Sequence, residues 1–190
     1  MVVAELAGGL RALGHHVLVY ATGDSTCAGE IVSHLPASVW PPSPEAERAH
    51  ASQALADVAN RDVDIVHVHS AEALSYHRAC AAPCVVTMHH ARVDGLVPHY
   101  LSFGDAHLVA ISAQQRELHP ELAFAGVVHH GLDPAGFAPG SCASGYAAFI
   151  GRFCEDKGVH HAIDASLAAD VPLLLGGVPP PRSTTRSATS

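Results

Sequence analysis

The sequence predicts an α/β protein with a mostly parallel, doubly wound sheet, and three observations carry that expectation. Short runs rich in Val, Ile and Leu recur along the chain, the pattern of buried strands. Stretches with helical spacing fall between these runs, the order of β-α-β units. Several of the runs close on His or Ser, which puts polar groups at the C-terminal ends of strands, where sheets of this class bind ligands.

Taken in order, Val2, Val3, Leu6, Leu10 and Leu13 share one helical face, and Gly14 supplies the stop. His16 to Ala21 is a strand run closed by the turn residues Thr22, Gly23, Asp24 and Ser25. Pro36 to Pro44 is a loop, and Glu45 to Asn60 an Ala-rich helix with acidic residues in its first turn, where the helix dipole favours them. Val63 to His69 is the next strand, followed by a helical stretch near Ala71 to Ala79 and a third strand from Cys84 to Met88 ending in His89-His90. His107 to Ile111 and Gly126 to His129 are further strands, with Ser112 placed to cap the short helix that runs through Leu118. Gly131 to Gly145 is linker-like. Tyr146 to Ile150 then starts a second unit, whose helix carries Val159, Ala162, Ile163 and Leu167 and whose second strand is Val171 to Leu175. The remainder, from Gly176 to Ser190, has no apolar periodicity and reads as disordered or as a changed reading frame.

Composition excludes several classes. With 48% hydrophobic and 15% charged residues, the 190-residue chain is core-forming. A net charge of −8 argues against nucleic-acid binding, which needs a cationic face. No apolar window approaches the roughly twenty residues of a membrane span, although peripheral membrane contact stays open. No secretory leader is recognisable. The five cysteines form no CxxC pair, so reduced thiols and a cytoplasmic location are expected.

Histidine is the oddity, with sixteen copies and four adjacent pairs, at His15-His16, His89-His90, His129-His130 and His160-His161. Neighbours on a strand point to opposite faces, so such a pair does not converge on one ion. His67 and His69 do share a face, but two imidazoles without Cys, Asp or Glu beside them make a weak site, and no metal is expected. His67, His69, His89, His90, Ser112, His129 and His130 instead gather on one strand-end rim, as structural hydrogen-bonding groups or as a polar-ligand site.

At the start of the second unit, Gly151-Arg152 and Lys157-Gly158 hold two cations five residues apart beside a helix start. This spacing reads either as a phosphate or diphosphate grip or as a solvated loop with ordinary surface charges. No nucleophile elbow, P-loop or GxGxxG is present.

In sequence order, the segments VVAELAGGLRALGHHVLVYATGDST, VDIVHVHS, CVVTMHH, LVAISAQQR, GVVHHGLDPAGF, GYAAFIGRFCEDKGVHHAIDAS and VPLLLGG resemble bacterial family-4 glycosyltransferases of the GT-B type. The resemblance spans nearly all of residues 2 to 177, and GRFCEDKG and VVHHGLD are its most specific parts. It implies a GT-B-like chain with a Rossmann-type acceptor-side domain at 1–133, a linker at 134–145, the first β-α-β of a second Rossmann-type, donor-binding domain at 146–177, and a disordered tail at 178–190. The implied activity is transfer of a sugar from a nucleotide-diphosphate donor to an acceptor hydroxyl, with retention, without a cofactor or bound metal. On this resemblance Gly151, Arg152, Lys157 and Gly158 bind the donor diphosphate. His89 matches a cleft histidine near the donor sugar, and His67, Ser112, His130 and Asp133 line the cleft, His130 standing where Asn is common.

The pattern also has departures. The family's first strand and Gly-rich loop, and a later acidic motif with two Glu residues, find no counterpart. The chain is therefore expected to be a fragment cut short at both ends, inactive alone and marginally folded, with exposed sheet edges. The rival readings are a non-catalytic remnant that binds a sugar nucleotide or a partner, and a His-rich metal-binding protein.

Overall fold

A computed structural model describes residues 2–39, 43–137, 140 and 145–177. The tail at 178–190, much of the linker and the middle of the Pro-rich loop lie outside the described residues. The chain divides into two compact units, Met1–Asp133 and Pro134–Ser190.

The first unit opens with helix α1 (Val2–Ala12). It ends because Gly14, at φ +92°, takes the left-handed conformation that only Gly adopts cheaply. The amide of His15 then reaches back to the carbonyl of Leu10, and that of Gly14 to Arg11, which satisfies the last turn. Strand β1 (Leu18–Tyr20) follows and pairs in parallel with β2 (Glu30–Val32), a strand that the sequence pattern did not announce. Helix α2 (Pro44–Val58) has Pro44 in its first turn and Ser43 as N-cap, its hydroxyl accepting from the Ala46 amide at 3.1 Å.

Four strands make the main sheet: β3 (Val66–Val68), β4 (Cys84–Thr87), β5 (His107–Ala110) and β6 (Phe124–Val127), all parallel and in the order β3-β4-β5-β6. The connections carry the short helices α3 (Ala71–Leu74), α4 (Val97–Leu101) and α5 (Ala113–Glu117). One difference from the sequence pattern bears on the site. β6 starts at Phe124, two residues before the expected Gly126, and a bulge between Leu108 and Val109 shifts its register. His129 and His130 therefore stand beyond the strand, in the following loop, rather than at its last position.

Strand alternation sorts the sheet's faces. Val66, Val68, Cys84, Val86, Met88, Leu108 and Ala110 point one way and are buried. All but Ala110 join a core with Ala54, Leu55 and Val58 of α2, Leu74 of α3, and Val97 and Tyr100 of α4. The opposite face, with His67, Val85, Thr87 and Val109, borders an open cavity of about 580 Å³, closed on its far side by Val2, Leu6 and Leu10 of α1. One face thus anchors the fold while the other is left available.

The pair β1-β2 and the sheet β3-β6 are separate hydrogen-bonded assemblies. Among the described residues, β1 and β3 each have a ladder partner on one side only.

The second unit consists of β7 (Ala147–Ile150), α6 (Val159–Ala169) and β8 (Leu173–Gly176), with β7 and β8 parallel. None of the residues in these elements is buried, and Ile150 is 88% exposed. Backbone pairing and the left-handed caps Gly158 (φ 72°) and Asp170 (φ 51°) define this unit more than side-chain packing does. Gly177 shows how close its chain segments run: a Cβ there would collide with the carbonyl oxygen of Gly151. Gly177→Ala is therefore expected to break the Gly151 amide to Gly176 carbonyl contact (2.9 Å). Loss of hydrogen-exchange protection at the Gly151 amide would register it, and unchanged protection would contradict it.

Candidate functional site

The polar groups of the first unit converge on a row of imidazoles at the strand-end rim. His67 and His69 lie two apart on one strand direction and stack with ring centroids 4.3 Å apart. His69 Nδ1 is 2.8 Å from His89 Nε2, and His89 Nδ1 is 3.3 Å from His130 Nε2. The rings of His69 and His89, and of His89 and His130, are also stacked, each at 5.1 Å. His67 Nε2 meets the Thr87 hydroxyl at 2.8 Å, which ties the row to β4.

Burial disfavours the charged form at the inner rings of the row. Burial pushes His69 down to about 3, and the neighbouring imidazoles push in the same direction. Burial likewise lowers His67, followed by the effect of His89, and lowers His89, followed by His130 and His90. Neutral imidazoles that both donate and accept suit hydroxyl recognition. Among the described residues, no group of three or more His, Cys, Asp or Glu is arranged to hold a metal ion.

His67, His130 and Asp133, expected to line a cleft, border the cavity together with His69 and His129. Ser112 does not join them. Its hydroxyl accepts from the Gln115 amide at 3.0 Å and caps α5. The adjacent pair His89-His90 splits as strand alternation requires: His89 enters the row, while His90 Nε2 contacts the Tyr100 hydroxyl at 2.8 Å.

One organising residue escaped the sequence reading. Gln115 is 7% exposed, and its Oε1 accepts from the Ile111 amide at 2.8 Å. Its Nε2 donates to the carbonyls of Met88 at 3.1 Å and His90 at 2.8 Å. It thereby clamps the segment that carries His89 onto α5. The Ser112-x-x-Gln115 spacing of a capping box was its only signal.

In the second unit, the loop between β7 and α6 carries the expected cations. Arg152 lies 3.9 Å from Asp156, a distance at which an exposed pair contributes little. Lys157 closes a single 3-10 turn (Glu155–Lys157), and Gly158 then starts α6 with no side-chain cap on its amides. Open amides at a helix start beside two cations form an anion-receptive corner. The Cys154 thiol donates to the Arg152 carbonyl at 3.7 Å, and its nearness to Asp156 raises the thiol and lowers the carboxylate, so an anion entering here competes with Asp156.

The description "Glycosyltransferase Family 4" belongs to the family model that matches residues 1–135 of the 190. The match covers the first unit and stops before the Arg152–Lys157 loop. No curated protein matches the sequence. No helix among the described residues is long and apolar enough to cross a membrane. A parallel α/β unit with a polar strand-end rim, matched over more than two thirds of the chain, leads to one assignment: this protein belongs to glycosyltransferase family 4.

Proposed function

We propose that the protein derives from an enzyme that transfers a sugar from a nucleotide-diphosphate donor to an acceptor hydroxyl, with retention. The family match over the first unit is the observation that carries this reading. In it, Arg152 and Lys157, with the amides after Gly158 and the backbone at Gly151, hold the donor diphosphate and offset charge on the leaving group. His67, His130 and Asp133 serve the sugar and hydroxyl side, His89 serves through the row it joins, and Ser112 serves by capping. The reaction needs no cofactor. A cytoplasmic location goes with free thiols at Cys27, Cys80, Cys84 and Cys154.

Calorimetry with UDP- and GDP-sugars on the 190-residue chain tests the grip. Removing either cation, by Arg152→Ala or Lys157→Ala, is expected to weaken binding about tenfold or more, the scale of a lost charge-assisted contact of about 1.5–3 kcal/mol. If both variants bind like the parent, the diphosphate assignment is wrong.

Turnover by this chain alone is expected to be absent. Transition-state stabilisation requires donors held rigidly, and no residue of β7, α6 or β8 is buried enough to fix the loop. Detectable sugar transfer or donor hydrolysis by the purified chain would overturn that expectation. The same lack of burial favours a second reading, a non-catalytic sugar-nucleotide binder. Measurable binding without turnover distinguishes it from an active enzyme.

A further inference from the structure

Both ring nitrogens of His89 are already engaged within the protein, Nε2 by His69 and Nδ1 by His130. One proton lies between each pair of nitrogens, so each contact joins an N–H to a lone pair. Three neutral rings linked in this way have two consistent proton arrangements. Either every N–H points from His69 towards His130, leaving His130 Nδ1 as an outward donor, or every N–H points back, leaving His130 Nδ1 as an outward acceptor. His89 cannot offer a nitrogen to a ligand without breaking the row, whereas His130 can.

We propose that His130 is the ring of this row that meets the ligand, presenting Nδ1 to a hydroxyl or phosphate oxygen. His89 and His69 are then positioning residues that set whether that nitrogen donates or accepts. The proposal rests on reading the rim as a ligand cleft. Its support is the placement of the rings: His69 is half-buried at the inner end, while His130 is exposed at the cavity's mouth beside Gly131, Leu132 and Asp133.

The row is also polarised along its length. Burial disfavours a charge on His69 and, less strongly, on His89, the two inner rings. The titratable groups around it are His67, stacked on His69, His90 beside His89, and Glu5 of α1, His129 and Asp133 around the cavity. A ligand hydroxyl that gives its proton to His130 Nδ1 leaves an alkoxide-like oxygen outside and an imidazolium at the exposed end. The reverse arrangement donates a hydrogen bond to a phosphate oxygen without any change in charge.

Two-bond proton–nitrogen correlation spectra of the full chain, labelled with 15N-histidine and recorded from pH 7.5 to 5, read each ring's tautomer and midpoint directly. His89 and His130 are expected to show matched tautomers. His69→Phe keeps a flat ring in the stack but removes the hydrogen bond. It should mix the His89 tautomers and shift the His130 signals, two rings away. His69→Gln is the second variant, should phenylalanine not fold. Unchanged His89 and His130 tautomers and midpoints in a folded variant would overturn the proposal. Saturating UDP-glucose or GDP-mannose is expected to move His130 Nδ1 more than either nitrogen of His69. An unmoved His130 in a chain that binds these probes overturns the proposal but leaves the functional reading intact. Failure of both probes to bind overturns that reading and, with it, the ligand role of His130.

Discussion

Gln115→Ala is expected to lower the stability of the first unit by about 2–4 kcal/mol, because it strips partners from three backbone groups at once. The Ile111 amide and the Met88 and His90 carbonyls would each need water, and the first carbonyl contact is fully buried. An orphaned buried group costs about 1–3 kcal/mol, and partial solvent access at His90 reduces the sum. The effect reaches the site as well. His89 lies between the two clamped carbonyls, so releasing them loosens the middle ring of the row. Urea unfolding followed by circular dichroism measures the first effect, and the His89 tautomer signals measure the second. Gln115→Glu sharpens the test: it keeps an acceptor for the Ile111 amide but sets a carboxylate against two carbonyls, so it should be no better than alanine. A loss below about 1 kcal/mol in both variants would show that other contacts hold the loop.

Leu74→Ala should cost about 2–5 kcal/mol, the range for emptying a leucine site in a packed core. Leu74 is fully buried, at 0% exposure, and is the sole buried residue of α3. A four-residue helix does not hold itself together, because helix nucleation is unfavourable and little propagation follows. Two things fix α3 instead. One is the Leu74 side chain in the core, and the other is Ser70, whose hydroxyl caps the Glu72 amide and donates to Glu47 of α2 at 2.6 Å. Ser70 follows His69 directly, so a loosened α3 should also disturb the inner end of the imidazole row. The midpoint of urea unfolding checks the magnitude. A variant that unfolds like the parent would mean that α3 is fixed by its cap alone.

Much of the first unit is written in local patterns. The strands β3, β4 and β5 come from Val-rich runs, whose period-two alternation also predicts that His89 and His90 must diverge. Ser112 announces its helix because capping depends on an amide only three residues away. β2 gave no such signal: Glu30–Val32 has three residues, and its pairing with β1 exists only once the two are brought together. The early start of β6 was hidden for a similar reason, since a bulge on β5 sets its register.

The candidate site divides in the same way. The sequence by itself determined the family, the strand-end position of the histidines, and the presence of Arg152 and Lys157 at a helix start. These depend on residue identity and on spacings of a few positions. Only the tertiary structure decided that His69, His89 and His130 form one hydrogen-bonded row, that Ser112 is spent as a cap, and that Gln115 clamps the loop around His89. The row's contacts join residues 20 and 41 positions apart, and the Gln115 carbonyl contacts span 27 and 25. Directional bonds over such separations follow from strand register and loop path, which no local periodicity encodes.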